Sequence, residues 1–144
     1  MNFDFSDDDK IIQDQVNRFL RDKCGFDEFR SVLEGDVTYS ENVWRGLSEM
    51  GVHGTAIPSV YGGVGAGYLS LCLAARELGA HLAPVPFSSS IYLAAEAIQL
   101  TGSEAQKEEW LPKLASGEAI GTLAVTETVR ESSPEDITTT FAKG

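Results

Sequence analysis

The sequence predicts a mainly α-helical, up-and-down bundle-like domain whose last residues begin a β domain, and three observations carry that reading. Apolar residues recur at helical intervals from Ile12 to Leu114. Glycines at 25, 51, 79, 102 and 117 close the successive runs. From Glu118 the pattern changes to the β-branched stretches Ile120 to Thr126 and Ile137 to Phe141.

In chain order, Ser6 and Asp9 stand at capping-box spacing and open a helix carrying Ile12, Val16, Phe19 and Leu20 on one side. Its acidic start, Asp7 to Asp9, and its basic end, Arg18, Arg21 and Lys23, suit the helix macrodipole. A shorter segment spans Phe26 to Leu33. Ser40 opens a helix with Trp44, Leu47 and Met50 together. Residues 52–67 form a glycine-rich loop, and Tyr68 to Leu78 make a helix apolar almost all round, which belongs at the centre of a domain. After the break at His81, Pro84 and Pro86, Ser88 to Leu100 read as a second buried helix. Ser103 and Gln106 form another capping box, opening a helix with Trp110, Leu111 and Leu114 inward and Lys107, Glu108 and Lys113 outward. Pro112 should bend or end it. Two strands make a poor ending for a helical domain, because an isolated two-stranded ribbon is marginal in water, so they hint at a larger sheet supplied by further chain, the alternative being a frayed tail or a hairpin packed on the helices.

With 22 acidic against 11 basic residues, the net charge of −11 lacks the cationic footprint of a nucleic-acid binder. Hydrophobic residues at 42% and charged residues at 23% place the chain among folded domains. Its acidic N-terminus is unlike a signal peptide, and Arg76, Glu77 and Glu96 interrupt the most apolar stretches, so no membrane span is expected and a cytoplasmic location is the simplest reading. Cys24 and Cys72 have no metal-ligand spacing and read as reduced packing residues.

Few residues have the spacing that chemistry needs. The loop glycines at 62, 63, 65 and 67 match neither GxGxxG nor a P-loop, and read as a structural turn. Asp7, Asp8 and Asp9 point to different sides of a helix and cannot easily converge on one metal ion. His53 and His81 lack neighbouring ligands and read as loop or packing residues. Glu77 and Glu96, each on an apolar helix, are candidate buried carboxylates: either a general base or, for Glu77, a structural partner of Arg76 or of a basic group on another helix.

More specific information lies in three patterns taken in order: Ala56-Ile57-Pro58-Ser59-Val60-Tyr61-Gly62-Gly63-Val64-Gly65; Gly102-Ser103-Glu104-Ala105-Gln106-Lys107 through Trp110-Leu111-Pro112-Lys113-Leu114 to Gly117-Glu118; and Ala124-Val125-Thr126-Glu127. Together they resemble the acyl-CoA dehydrogenases across essentially the whole chain. The resemblance implies the family's N-terminal helical domain at residues 1–119 and the start of its middle β domain at 120–144. It implies FAD, an acyl-CoA substrate, an electron-transferring flavoprotein as acceptor and a homo- or hetero-oligomer. The reaction implied is α,β-dehydrogenation in lipid catabolism: a glutamate removes the α-proton and a hydride leaves the β-carbon for the flavin.

Residue by residue, the resemblance assigns Leu123, Ala124, Val125 and Thr126 to flavin contact and Ser132 to the turn beside the flavin and the thioester. It assigns Val85, Ser89 and Leu93 to the acyl tail; four apart, they line a pocket if the helix extends back to Val85, and are otherwise core residues. No catalytic base and no metal ligand falls within these residues; the family's base lies beyond position 144. The chain departs from the pattern where Pro-x-x-Gly-Ser-Asp is expected and Thr128-Val129-Arg130-Glu131-Ser132-Ser133 stands instead. That loses proline's fixed φ and glycine's close backbone approach. The departure suits a second reading, a non-catalytic partner subunit of a heteromeric dehydrogenase.

Overall fold

The structure is a computed structural model that describes residues 5–125 and 138–140. Its helices are α1 (Asp7–Lys23), α2 (Phe26–Leu33), α3 (Glu41–Glu49), α4 (Tyr68–Ala80), a π-helical segment (Ser88–Ala95) running directly into α5 (Glu96–Thr101), and α6 (Glu104–Ala115). The serine N-caps fall where the sequence puts them, whereas α4 runs through Gly79 to Ala80 instead of closing at that glycine. The side chains of Ser6, Ser40 and Ser103 accept the amides of Asp9, Val43 and Gln106, and Ser103 and Gln106 complete a reciprocal capping box. No helix among the described residues is long and apolar enough to cross a membrane.

The main core joins Val16 and Leu20 of α1, Val43, Trp44 and Leu47 of α3, Leu71, Ala74 and Leu78 of α4, and Phe87 and Ile91 around the π-helix. A smaller cluster gathers Ile57, Ala95, Leu111, Leu114 and Ala115 under the glycine-rich loop. Between α1 and α4 the contact is also polar, because α4 buries Ser70 and Glu77 and α1 answers both. The Ser70 hydroxyl donates to Asp9 Oδ1, and Glu77 accepts one hydrogen bond each from Gln13 and Asn17, both 2.6 Å. The Asn17 bond, opposed by burial and joined by the Gln13 bond, holds the Glu77 carboxyl below its ordinary range. Removing the carboxylate orphans two amides in a buried seam, so Glu77→Ala is expected to cost about 2 kcal/mol. A urea midpoint indistinguishable from wild type would refute the seam's contribution.

Four expectations are corrected. Trp110 is 42% exposed rather than inward, its ring covered by the Lys113 ammonium 4.6 Å from the centroid. Of the two readings of Pro112, the helix end is overturned: α6 continues through it to Ala115, and Leu111, Leu114 and Ala115 remain buried on either side of it. The helix at 88–100 is π-helical in its first half; over eight residues, apolar spacing does not separate a π turn from an α turn. α4 is not buried all round: Tyr68, Leu69 and Cys72 are exposed, although the Tyr68 hydroxyl reaches Glu96 of α5. Cys24 is buried as expected.

No strand occurs among the described residues: 120–125 have no regular partner, as an edge without a sheet must. Residues 138–140 likewise form no strand, and Thr126, Ile137 and Phe141, the rest of the two β-branched stretches, lie outside the described residues.

Candidate functional site

Val85, Ser89 and Leu93 do not share a helix, because the π-helix begins only at Ser88, with Phe87 as its cap. Val85 sits in the preceding turn. Its amide donates to Ala83 O at 2.9 Å, and its side chain lines an apolar cavity of about 260 Å³ with Leu78, Leu82, Phe87 and Tyr92. Ser89 and Leu93, one turn apart, do lie on the helix. The Ser89 hydroxyl donates to Pro86 O at 3.1 Å, and Leu93 is 46% exposed. Leu93 stands open beside the buried Ser90, Ile91, Ala94 and Ala95, and an exposed apolar residue at the edge of a buried face suits an apolar neighbour.

α3 and then the same π-helix receive the chain as it leaves α6. Trp44 Nε1–H donates to Gly117 O at 3.0 Å, Ser48 Oγ donates to Ser116 O, and the Gly121 amide donates to Ser90 Oγ at 3.2 Å. A glycine is needed at 121, since a β-carbon there would stand 2.5 Å from Ala94 Cβ. Residues 122–125 then run free of hydrogen bonds to other described residues, with Leu123 43% and Val125 51% exposed. The π-helix thus gathers both sets of candidates: Ser89 and Leu93 belong to it directly, and Leu123, Ala124 and Val125 follow from its seat on Gly121. Thr126, Ser132 and the divergent Thr128 to Ser133 turn lie outside the described residues.

The other candidates take structural places. In the glycine-rich loop the amides of Gly62, Gly63, Val64, Gly65 and Gly67 all donate to carbonyls of residues 54–59, at 2.8 to 3.2 Å, so these five are committed to the loop's own backbone rather than to an anion. Gly63 could carry no side chain, because a β-carbon would fall 2.0 Å from Ile57 O. Glu96 accepts the Tyr68 hydroxyl at 2.8 and 2.9 Å, and Glu77 is held chiefly by the Gln13 and Asn17 amides, with the charges of Arg76 and His81 adding to them. His53 is wholly buried, stacked 3.9 Å from the Trp44 ring. No cluster of metal-ligating side chains exists among the described residues. Sequence reasoning missed Trp44 and Ser48 as anchors of the exit segment, and Ser90 as its seat. Their partners are backbone atoms more than thirty residues away, for which a single sequence carries no signal.

Comparison with known proteins agrees with the geometry. Residues 6–118 match the model of the acyl-CoA dehydrogenase N-terminal domain. Mitochondrial isovaleryl-CoA dehydrogenase of Arabidopsis thaliana is 33% identical over 125 residues, covering 85% of this chain and 31% of the relative. Among solved structures, the ChsE4-ChsE5 complex from Mycobacterium tuberculosis superposes with a TM-score of 0.82 at 27% identity, covering 92% of this chain and 36% of that one. A glutaryl-CoA dehydrogenase from Mycobacterium smegmatis in complex with FADH2 does so at 0.74 and 29% identity, covering 92% and 34%. A match over residues 6–118 that includes the capped helices, the glycine-rich loop and the α6 exit shows that the chain belongs to the acyl-CoA dehydrogenase family, as its N-terminal helical domain.

Proposed function

We propose that the chain forms the acyl-facing helical wall of a cytoplasmic, oligomeric FAD-dependent acyl-CoA dehydrogenase, with residues 1–119 as its helical domain and 120–144 as the opening strands of its β domain. The observation that carries the reading is the convergence at the π-helix. The exposed Leu93 lies on the helix that seats Gly121, and the backbone of 122–125, which makes no hydrogen bond to other described residues, leaves from that seat. Open amides and carbonyls flanked by Leu123 and Val125 fit a flat ring with a polar edge and apolar faces, so Leu123, Ala124 and Val125 are the described residues that would hold the flavin; Thr126 and Ser132 complete the set in the proposal. When bound, the flavin accepts the hydride and passes electrons to an electron-transferring flavoprotein. The chain's own part is to place the acyl tail against Val85, Ser89 and Leu93, and to keep water from the β-carbon with apolar side chains.

Because the chain spans 31% of the length of the Arabidopsis relative, the test belongs to the intact protein. Given a panel of acyl-CoAs and an artificial electron acceptor, it is expected to show a flavin absorption band that bleaches on reduction. Leu93→Trp should lower kcat/KM for the bulkiest good substrate by about tenfold or more while leaving the flavin band intact. A protein that binds no flavin and reduces no acceptor would defeat the proposal.

A second reading, a non-catalytic subunit of a heteromeric dehydrogenase, is favoured by the Thr128 to Ser133 departure and by the similarity to a two-component complex. The absorption spectrum of the protein expressed alone and with its genomic neighbour separates the two. Flavin retained without a partner speaks for the enzyme, and flavin seen only in the complex speaks for the subunit.

A further inference from the structure

We infer that Ser90 is a positioning residue for the proposed reaction: through the Gly121 amide its hydroxyl sets the separation between the Ser89–Leu93 face and residues 122–125. The inference rests on the reading above, in which the first takes the acyl chain and the second the flavin.

Ser90 is fully buried, and it is the next residue of the helix after Ser89. Its Oγ accepts the Gly121 amide at 3.2 Å, and Ala94, four residues on, touches the bare Gly121 backbone so closely that a β-carbon would stand 2.5 Å away. Ser90 and Ala94 therefore make a seat with a directional bond at one end and a steric stop at the other. The chain cannot slacken before it arrives. Gly117 O is held by Trp44, Ser116 O by Ser48, and the Ala119 amide donates to Lys113 O at 3.0 Å. Only residues 118–120 separate Gly117 from Gly121, so the route is pinned at both ends. Beyond the seat, 122–125 make no hydrogen bond to other described residues. Ser90 is thus the last side-chain bond the helical domain makes to this segment before the proposed flavin residues.

Hydride transfer is steeply sensitive to donor–acceptor placement, and a misplacement of about 1 Å can cost on the order of a hundredfold in rate. Ser90 touches neither reacting group, and its effect passes through Gly121.

The test compares Ser90→Ala and Ser90→Thr in the intact protein. In Ser90→Ala the Gly121 amide should exchange hydrogen at least about tenfold faster, with the amides of α6 unchanged. kcat should fall about tenfold with KM within about twofold, and the flavin absorption band should shift. Threonine keeps the acceptor and should restore both the protection and the band. Unchanged Gly121 exchange would overturn the bond. Lost protection with wild-type kcat and an unmoved band would overturn the positioning role, as would a loss of activity that only tracks the folded fraction. A wild-type protein without flavin overturns the functional reading and this role with it, and that failure is visible before any variant is compared.

Discussion

Trp44→Ala is expected to destabilise the helical domain by roughly 3–5 kcal/mol, the range for deleting a buried tryptophan. The indole is almost wholly buried on α3, stacks 3.9 Å from the His53 ring and meets Tyr39 edge-on at 6.4 Å. It also spends its single donor on Gly117 O, so truncation both opens a cavity and orphans a carbonyl at the start of the exit segment. A domain is stable by only about 5–15 kcal/mol, so much of that margin goes with one side chain. Trp44→Phe isolates the polar share, keeping most of the apolar volume while losing the Nε1–H bond, and should cost about 1–2 kcal/mol. Urea unfolding followed by circular dichroism reads both. A midpoint for the alanine variant within about 0.5 kcal/mol of wild type would show that the core closes over the gap and that the indole is not central.

Much of the helical scaffold is legible in the sequence because its signals are local. Ser6, Ser40 and Ser103 cap where they stand, and the loop glycines serve turns. What escapes has its cause at long range. Trp110 reads as core by periodicity, yet the buried face of α6 is already filled by Leu111, Leu114 and Ala115, and the indole turns out beneath Lys113. α4 reads as central by composition, but burial depends on what packs around it, and α1 covers only one side. Of the candidate site, Leu93 and Leu123 to Val125 come from family resemblance and fall on exposed surface connected through one seat. The seat itself, a serine hydroxyl on a glycine amide 31 residues away, has no sequence signature. Val85 joins the helical row only where the helix reaches back to it, and with prolines at 84 and 86 the helix begins at Ser88 instead.

Acid should weaken the fold in two separable stages, the first of them due to His53. Burial among Trp44, Phe87 and the backbone of Gly117 disfavours the charged ring and pushes its pKa down from 6.5 to about 4. Neither ring nitrogen has a hydrogen-bond partner among the described residues, so no carboxylate or carbonyl compensates a proton taken up there. The unfolded chain binds that proton near pH 6.5 and the folded chain only near pH 4, so the stability contribution is whole above pH 6.5 and is lost as the pH falls to about 4. The gap corresponds to roughly 3 kcal/mol. Glu77, whose pKa is lowered from an ordinary 4.5, acts in the opposite chemical sense but the same direction: its contribution is present above pH 4.5 and falls away below it. His53→Leu, close in volume and without ring nitrogens, should abolish the loss between pH 6.5 and 4 while leaving the steeper fall below it. It should also raise stability at pH 7, because two unsatisfied buried nitrogens disappear. Urea midpoints across pH 3.5 to 8 for wild type, His53→Leu and Glu77→Ala distinguish the stages. If wild type and His53→Leu traced parallel curves between pH 6.5 and 4, the histidine would have found a proton acceptor in solution and the burial argument would fail.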